Sequence, residues 1–167
     1  MFSLTASAAQ CLAGAGDHPV GATASVTMIA ASPPGSSSSM PSPTACRFSE
    51  THEWHHLDGD VVTLGITQYA ADELTDVTYV EMKPLGSNIV PGDSVGEVES
   101  VKTTSEVYSA VGGEIVDVNR ALSDDPSVVN SDPYGAGWLV KIRTSDPSPL
   151  DGLMDHAAYE QRFSVKN

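Results

Sequence analysis

Two short runs of alternating apolar residues bracket a lone lysine, and this arrangement restricts the chain more than any other feature. The runs are Val95-Gly-Glu-Val-Glu-Ser-Val101 and Glu106-Val-Tyr-Ser-Ala-Val111. Side chains on a strand alternate between faces, so each run reads as a short strand with one buried side. The residues between them, Lys102-Thr103-Thr104-Ser105, are then predicted to form a hairpin tip. A lysine there is pushed into solvent at the end of a stiff ribbon. It adds little to the stability of a fold and is open to covalent attachment.

Three chemistries suit such a lysine. It can be an ordinary solvated charge. It can be a Schiff-base nucleophile, which requires a depressed pKa from burial or a neighbouring cation. Glu97, Glu99 and Glu106 lie close in sequence and favour the charged ammonium instead. Or it can anchor a swinging prosthetic group through an amide bond, which requires only access for a ligase.

The chain from Arg47 onward reads as mostly β. Asp58-Gly59 is a two-residue hairpin signal between Glu53–Leu57 and Val61–Ile66. Thr67 is predicted to cap a short helix through Leu74, with Ala70, Ala71 and Leu74 for packing. Val77–Met82 alternates again and ends at Pro84-Leu-Gly86. Pro91-Gly92-Asp93 turns into the lysine hairpin, and Gly112-Gly113 turns out of it into Glu114–Asn119. Trp138–Arg143 alternates with Trp138, Val140 and Ile142 on one face; Asp146-Pro-Ser-Pro149 leads into a C-terminal helix interrupted near Gly152. Gly86-Ser-Asn-Ile-Val90 echoes Gly113-Glu-Ile-Val116 on the far side of the hairpin, suggesting two facing half-sheets.

Several of these residues recur together in one family. Val98-Glu-Ser-Val-Lys102, Ser105-Glu106 and Gly113-Glu-Ile-Val-Asp-Val-Asn119 resemble the H protein of the glycine cleavage system. So do His52-Glu53-Trp54, Gly65-Ile66-Thr67, Asn130-Ser-Asp-Pro-Tyr-Gly135 and Gly137-Trp138-Leu139, in family order from about Arg47 to Phe163. The resemblance implies a hybrid barrel-sandwich of lipoyl-domain type, with short flanking helices and a C-terminal helix. It implies a carrier rather than an enzyme, with lipoate joined by an amide to Lys102. The lipoyl dithiolane of such a carrier accepts the aminomethyl group left when a pyridoxal-phosphate glycine decarboxylase acts. A tetrahydrofolate-dependent aminomethyltransferase then releases ammonia, and a dihydrolipoyl dehydrogenase restores the disulfide. Thr51, Glu53 and Glu106 match positions of a cleft that shelters the cationic amine. Glu99 and Gly113 match positions that help lipoylating enzymes recognise the hairpin. A related carrier that relays lipoyl groups to other complexes is the alternative, differing only in partners. Departures from the family pattern are small: Thr103-Thr104, Ala110-Val-Gly-Gly113, and Glu106 where aspartate is frequent.

His52-Glu53-Trp54-His55-His56 also matches H-E-x-x-H, the zinc-protease signature. That chemistry needs both histidines on one helical face. Asp58-Gly59 follows too soon for a helix, and on a strand His52 and His56 stand roughly 13 Å apart at ~3.3 Å per residue. No metal is expected. Biotin attachment is disfavoured because Val101 and Thr103, not methionines, flank the lysine. Gly135-Ala-Gly137 reads as a turn, and Trp54 and Trp138 as core aromatics.

A net charge of -14 opposes binding to nucleic acid or to an anionic membrane surface, and 167 residues suit one domain. No apolar run approaches the ~20 residues that span a bilayer. A monomer is expected, in a bacterial cytoplasm or alternatively a mitochondrial matrix. Residues 1–46 carry one charged side chain, Asp17, and the low-complexity run Ser32-Pro-Pro-Gly-Ser-Ser-Ser-Ser39. They are expected to be a disordered extension, with residues 47–167 forming the carrier domain. The extension is acid-poor and Ser-rich like a transit peptide, yet has no Lys or Arg before Arg47; a start at Met40 would leave 128 residues (167 less 39). Cys11 and Cys46 are expected to be incidental thiols.

Overall fold

Seven alternating runs and two further two-residue strands make nine strands in two antiparallel sheets among the described residues, 41–163 of the computed structural model. The expectations for residues 1–40, Cys11 and Met40 among them, lie outside the described residues. Strands β1 (Arg47–Phe48), β2 (Glu53–Asp58), β3 (Val61–Ile66), β9 (Val140–Arg143), β8 (Gly113–Val118) and β5 (Asn88–Ile89) line up in that order as one sheet. Strands β4 (Val77–Met82), β6 (Ser94–Ser100) and β7 (Thr104–Tyr108) form the other, with β6 in the middle. Helices α1 (Gln68–Leu74), α2 (Ala121–Asp124), α3 (Val128–Ser131) and α4 (His156–Arg162) flank them. Neither sheet closes into a barrel.

Most elements follow from local chemistry. The Thr67 hydroxyl accepts from the Ala70 N–H and caps α1, and Ala71 and Leu74 are buried beneath it. Asp155 caps α4 in the same way through Ala158 N–H. The β2–β3 strands run one residue further than the sequence suggests, since Asp58 pairs with Val61. The two-residue loop is therefore Gly59-Asp60, not Asp58-Gly59. Gly59, at φ +65°, takes the first central position, where a type II′ turn demands glycine.

The lysine tip also moves. Glu99 pairs with Thr104, so β7 begins earlier than the Val/Tyr alternation indicates, and the tip is Ser100-Val101-Lys102-Thr103 rather than Lys102–Ser105. The threonines carry enough β preference to extend the strand. The two echoing segments are hydrogen-bonded neighbours rather than facing halves: Asn88 lies opposite Glu114 and Ile89 opposite Gly113. Trp138 precedes its strand, because β9 starts at Val140.

Two buried clusters hold the sheets. The larger contains Val62, Leu64 and Ile66 of β3, Val98 of β6, Val107 of β7 and Val140 and Ile142 of β9. The smaller contains Cys46, Phe48, Trp54 and Tyr159. The buried chain therefore reaches one residue beyond Arg47 toward the N-terminus. Burial pushes the free Cys46 thiol up to about 12, which keeps it protonated and unreactive.

Strand β2 divides its side chains between these regions. Trp54 faces the smaller cluster and donates through its indole N–H to the Pro133 carbonyl at 2.9 Å. Glu53 and His55, paired with Ile66 and Leu64, share the opposite face. There the Glu53 carboxylate accepts from Tyr108 N–H (3.1 Å) and His55 Nε2 accepts from Ala110 N–H (3.1 Å). Alternate side chains of one sheet thus bind alternate amides at the end of the other.

Two outcomes are expected. A Cβ at Gly65 would meet the Trp54 ring at 2.7 Å, so Gly65→Ala should destabilise the fold by about 1–3 kcal/mol in chemical denaturation. His55 is buried, and burial depresses its pKa from 6.5 to about 4. The folded protein therefore refuses a proton that the unfolded chain accepts. Its contribution is full above pH 6.5 and is lost as pH falls from 6.5 toward 4, amounting to about 2 kcal/mol by pH 5. Denaturation at pH 7 and pH 5 checks this; the difference should shrink in His55→Gln.

Candidate functional site

Ser100 organises the tip that presents Lys102. Its hydroxyl accepts from Lys102 N–H (3.2 Å) and Thr103 N–H (3.1 Å) and donates to the Thr103 carbonyl (3.1 Å). The backbone closes the same turn through Ser100 N–H to Thr103 C=O at 2.8 Å. A small hydroxyl residue is what a tip this tight accommodates, because it satisfies amides that no strand neighbour reaches. Val101, Lys102 and Thr103 are all exposed. The amine has no burial around it of the kind that Schiff-base chemistry requires.

The same hairpin forms one wall of a cleft of about 300 Å³. Val98, Ser105, Glu106 and Val107 come from the hairpin, and Thr51, His52 and Glu53 from the entry to β2. The facing wall is Ile66, Tyr69, Ala70, Glu73 and Leu74. Ile66 ends β3, and the other four fall at helical spacing on α1, which turns a single stripe to the cleft. Thr51, Glu53 and Glu106 all line this cleft. It adds Glu73 and His52, which sequence reasoning missed; a carboxylate within the apolar stripe of α1 was the available signal.

Glu53 is fully buried, and its carboxylate accepts three hydrogen bonds. Besides Tyr108 N–H, it accepts from the hydroxyls of Ser49 and Thr51. Burying a carboxylate is costly unless its lone pairs are matched this way. Glu106 is exposed and accepts from the Tyr108 hydroxyl, which holds the Tyr108 proton on and raises that pKa.

His52 closes one end of the cleft in a left-handed conformation, at φ +73°. Its ring lies tilted against Tyr69 and edge-on to Phe163, both at 4.6 Å between centroids, and Nδ1 pairs with the Tyr159 hydroxyl at 2.7 Å. That hydroxyl in turn meets the Thr67 cap at 2.9 Å. Helix α4 is thereby fastened to the start of α1. Burial pushes the His52 imidazole below its ordinary pKa, against the pull of Glu53 and Glu73.

The outer face of the three-stranded sheet is acidic. Glu81 lies opposite Glu97, and Glu97 opposite Glu106, so three carboxylates form a row across β4, β6 and β7. Glu99 stands in the next row, between Tyr79 and Thr104. Gly113 belongs to the other sheet. A Cβ there would lie 2.0 Å from the Arg143 carbonyl oxygen, so close approach of β9 accounts for the glycine. The H-E-x-x-H histidines are His52, just before β2, and His56, within it, so they stand along a strand and not on one helical face.

Comparison with known proteins agrees with this geometry. The family model for the glycine cleavage H-protein matches residues 46–166. The chain is 52% identical over 114 residues to a glycine cleavage system H protein from Phenylobacterium zucineum, covering 68% of this chain and 94% of that one. It is 50% identical over 117 residues to one from Myxococcus xanthus, covering 70% and 91%. The crystal structure of a glycine cleavage system H protein from Mycobacterium marinum superposes with a TM-score of 0.67 at 34% identity, over 74% of this chain and 100% of that chain. The chain belongs to the glycine cleavage H-protein family, whose members are non-catalytic lipoyl carriers.

Proposed function

We propose that Lys102 carries the lipoyl group and that Thr51, Glu53 and Glu106 shelter the amine it transports. The observation that supports this most directly is the shared hairpin: one β-ribbon holds the exposed lysine at its tip and lines the cleft with its strands. The residues present fit such a group. Ile66, Leu74, Val98 and Val107 offer apolar walls to a hydrocarbon arm, and three carboxylates, Glu53, Glu73 and Glu106, suit a cation. When bound, the lipoyl dithiolane supplies a disulfide that takes up the aminomethyl group of glycine.

The chain's own residues do the rest. Lys102 offers its amine to the lipoylating enzymes, with Glu99 and Gly113 as recognition points. Glu106 accepts a hydrogen bond from an ammonium entering the cleft, while the Tyr108 hydroxyl holds its carboxylate in place. Glu53, fixed by three donors, supplies a negative floor that needs no rearrangement. The apolar walls exclude the water that would hydrolyse the cargo. Tethering keeps that cargo near each successive active site at roughly millimolar effective concentration. The partners are the pyridoxal-phosphate decarboxylase, the tetrahydrofolate-dependent aminomethyltransferase and the dihydrolipoyl dehydrogenase. Among the described residues no helix is long and apolar enough to cross a membrane. The relatives are bacterial, which supports a cytoplasmic place of work.

Lys102→Arg should keep the fold by circular dichroism yet take up no lipoyl adduct by intact mass, and glycine cleavage in a reconstituted system should cease. Cleavage retained by that variant sinks the assignment. A lipoylated wild type that supports no cleavage but donates its arm to other complexes would favour the relay instead. Glu106→Gln removes one charge-assisted hydrogen bond from an exposed position. Ammonia should escape from the loaded protein about tenfold faster, with the melting temperature unchanged.

A further inference from the structure

A hairpin fixed only by its own turn would let its tip sway. Here the β4–β6 ladder runs on past the Val77–Ser100 pair into the tip, because Val101 N–H donates to the Asp76 carbonyl at 3.2 Å. Val101 is the residue before Lys102. Asp76 sits in the short connection between α1 and β4. The residue ahead of it, Thr75, has φ +69° and ψ -97°, a conformation that a β-branched residue resists. The connection therefore needs something to hold it.

Asn130, on α3, does so with every polar atom of its side chain. Its amide N–H groups donate to the carbonyls of Ala71 (3.0 Å) and Thr75, and its carbonyl oxygen accepts from Val77 N–H at 3.0 Å. These bonds grip the chain on both sides of Asp76. Ala71 is also where Thr75 N–H bonds, so the left-handed turn and the last turn of α1 share one clamp. Asn130 is absent from the lining of the cleft.

We propose that Asn130 is the positioning residue of the lysine tip. By holding Thr75 and Val77 it sets the Asp76 carbonyl to receive Val101 N–H, and so fixes where Lys102 is presented. The consequence for modification rests on Lys102 being the attachment site; the brace itself does not.

Hydrogen exchange on the unmodified full-length protein reads the brace, and the kcat/KM of a lipoate ligase reads its consequence. In Asn130→Ala, the Val101 amide should exchange about tenfold faster while Val98 and Val107 change by less than about twofold. Ligase kcat/KM should fall about fivefold. Asn130→Asp keeps the acceptor for Val77 but loses both donations, and serves if the alanine variant fails to fold. Adding Thr75→Gly, which adopts positive φ without help, should bring both readouts back to within about twofold of wild type. Unchanged exchange at Val101, equal acceleration along the whole hairpin, or no rescue by Thr75→Gly would each overturn the proposal. Faster exchange with unchanged ligase kinetics would overturn the presenting role. If the wild type itself takes no lipoyl group while Val101 responds as described, the positioning role stands and the reading of Lys102 fails.

Discussion

The two sheets are joined by side chains of one and backbone of the other. Glu53 and His55 project from β2 on the same face and accept N–H groups from Tyr108 and Ala110, where β7 runs out of its own partner strand. Buried amides require partners, and here a carboxylate and an imidazole stand in for a missing strand. Both acceptors carry a condition. The imidazole accepts through Nε2 only while that nitrogen is unprotonated, and the carboxylate tolerates burial only with all its donors present. Ser49 and Thr51 meet the second condition, and the short β1–β2 connection exists in the form that brings them there. The acidic floor of the cleft is therefore part of what joins the sheets.

This explains why the cleft stays open beside a well-packed core. The inner face of β3 fills the space below with Leu64 and Ile66, while the polar pair above it is committed to β7. What remains between α1 and the hairpin is a trough with apolar sides and a charged base. The hairpin that borders it bears an unusual load. Glu81, Glu97 and Glu106 stand abreast, and like charges directly opposite one another weaken pairing. Val80, Val98 and Val107 on the buried side offset that repulsion through apolar contact.

Strand positions were largely legible because alternation is a local signal. Val61–Ile66 and Val77–Met82 match residue for residue, as does the α1 cap at Thr67. Boundaries failed where the deciding interaction was elsewhere. The tip slid by two residues because the register with Thr104 and the Ser100 hydroxyl, not apolar periodicity, closes the turn. Helices α2 and α3 are four residues each and carry no full apolar repeat, so nothing local announced them. Within the site, Thr51, Glu53 and Glu106 came from resemblance. The roles of His55 and Asn130 were invisible, since each depends on a partner more than fifty positions away. H-E-x-x-H shows the converse: the pattern is complete, but it lies along a strand and so lacks the helical face its chemistry needs.

The order of strands also has a temporal meaning. The lysine-bearing sheet is built from residues 77–108 and is complete once β7 has emerged during synthesis. The larger sheet is not, because β9, made last, lies at its centre between β3 and β8. Until residues 140–143 insert, β3 and β8 are two bare edges with hydrogen-bonding capacity and no neighbour. A nascent chain thus completes its lysine-bearing ribbon before it owns the frame behind it. The vulnerable interval in the life of this protein is the passage from residue 118 to residue 140, when two unpaired edges wait on the ribosome for a strand not yet translated.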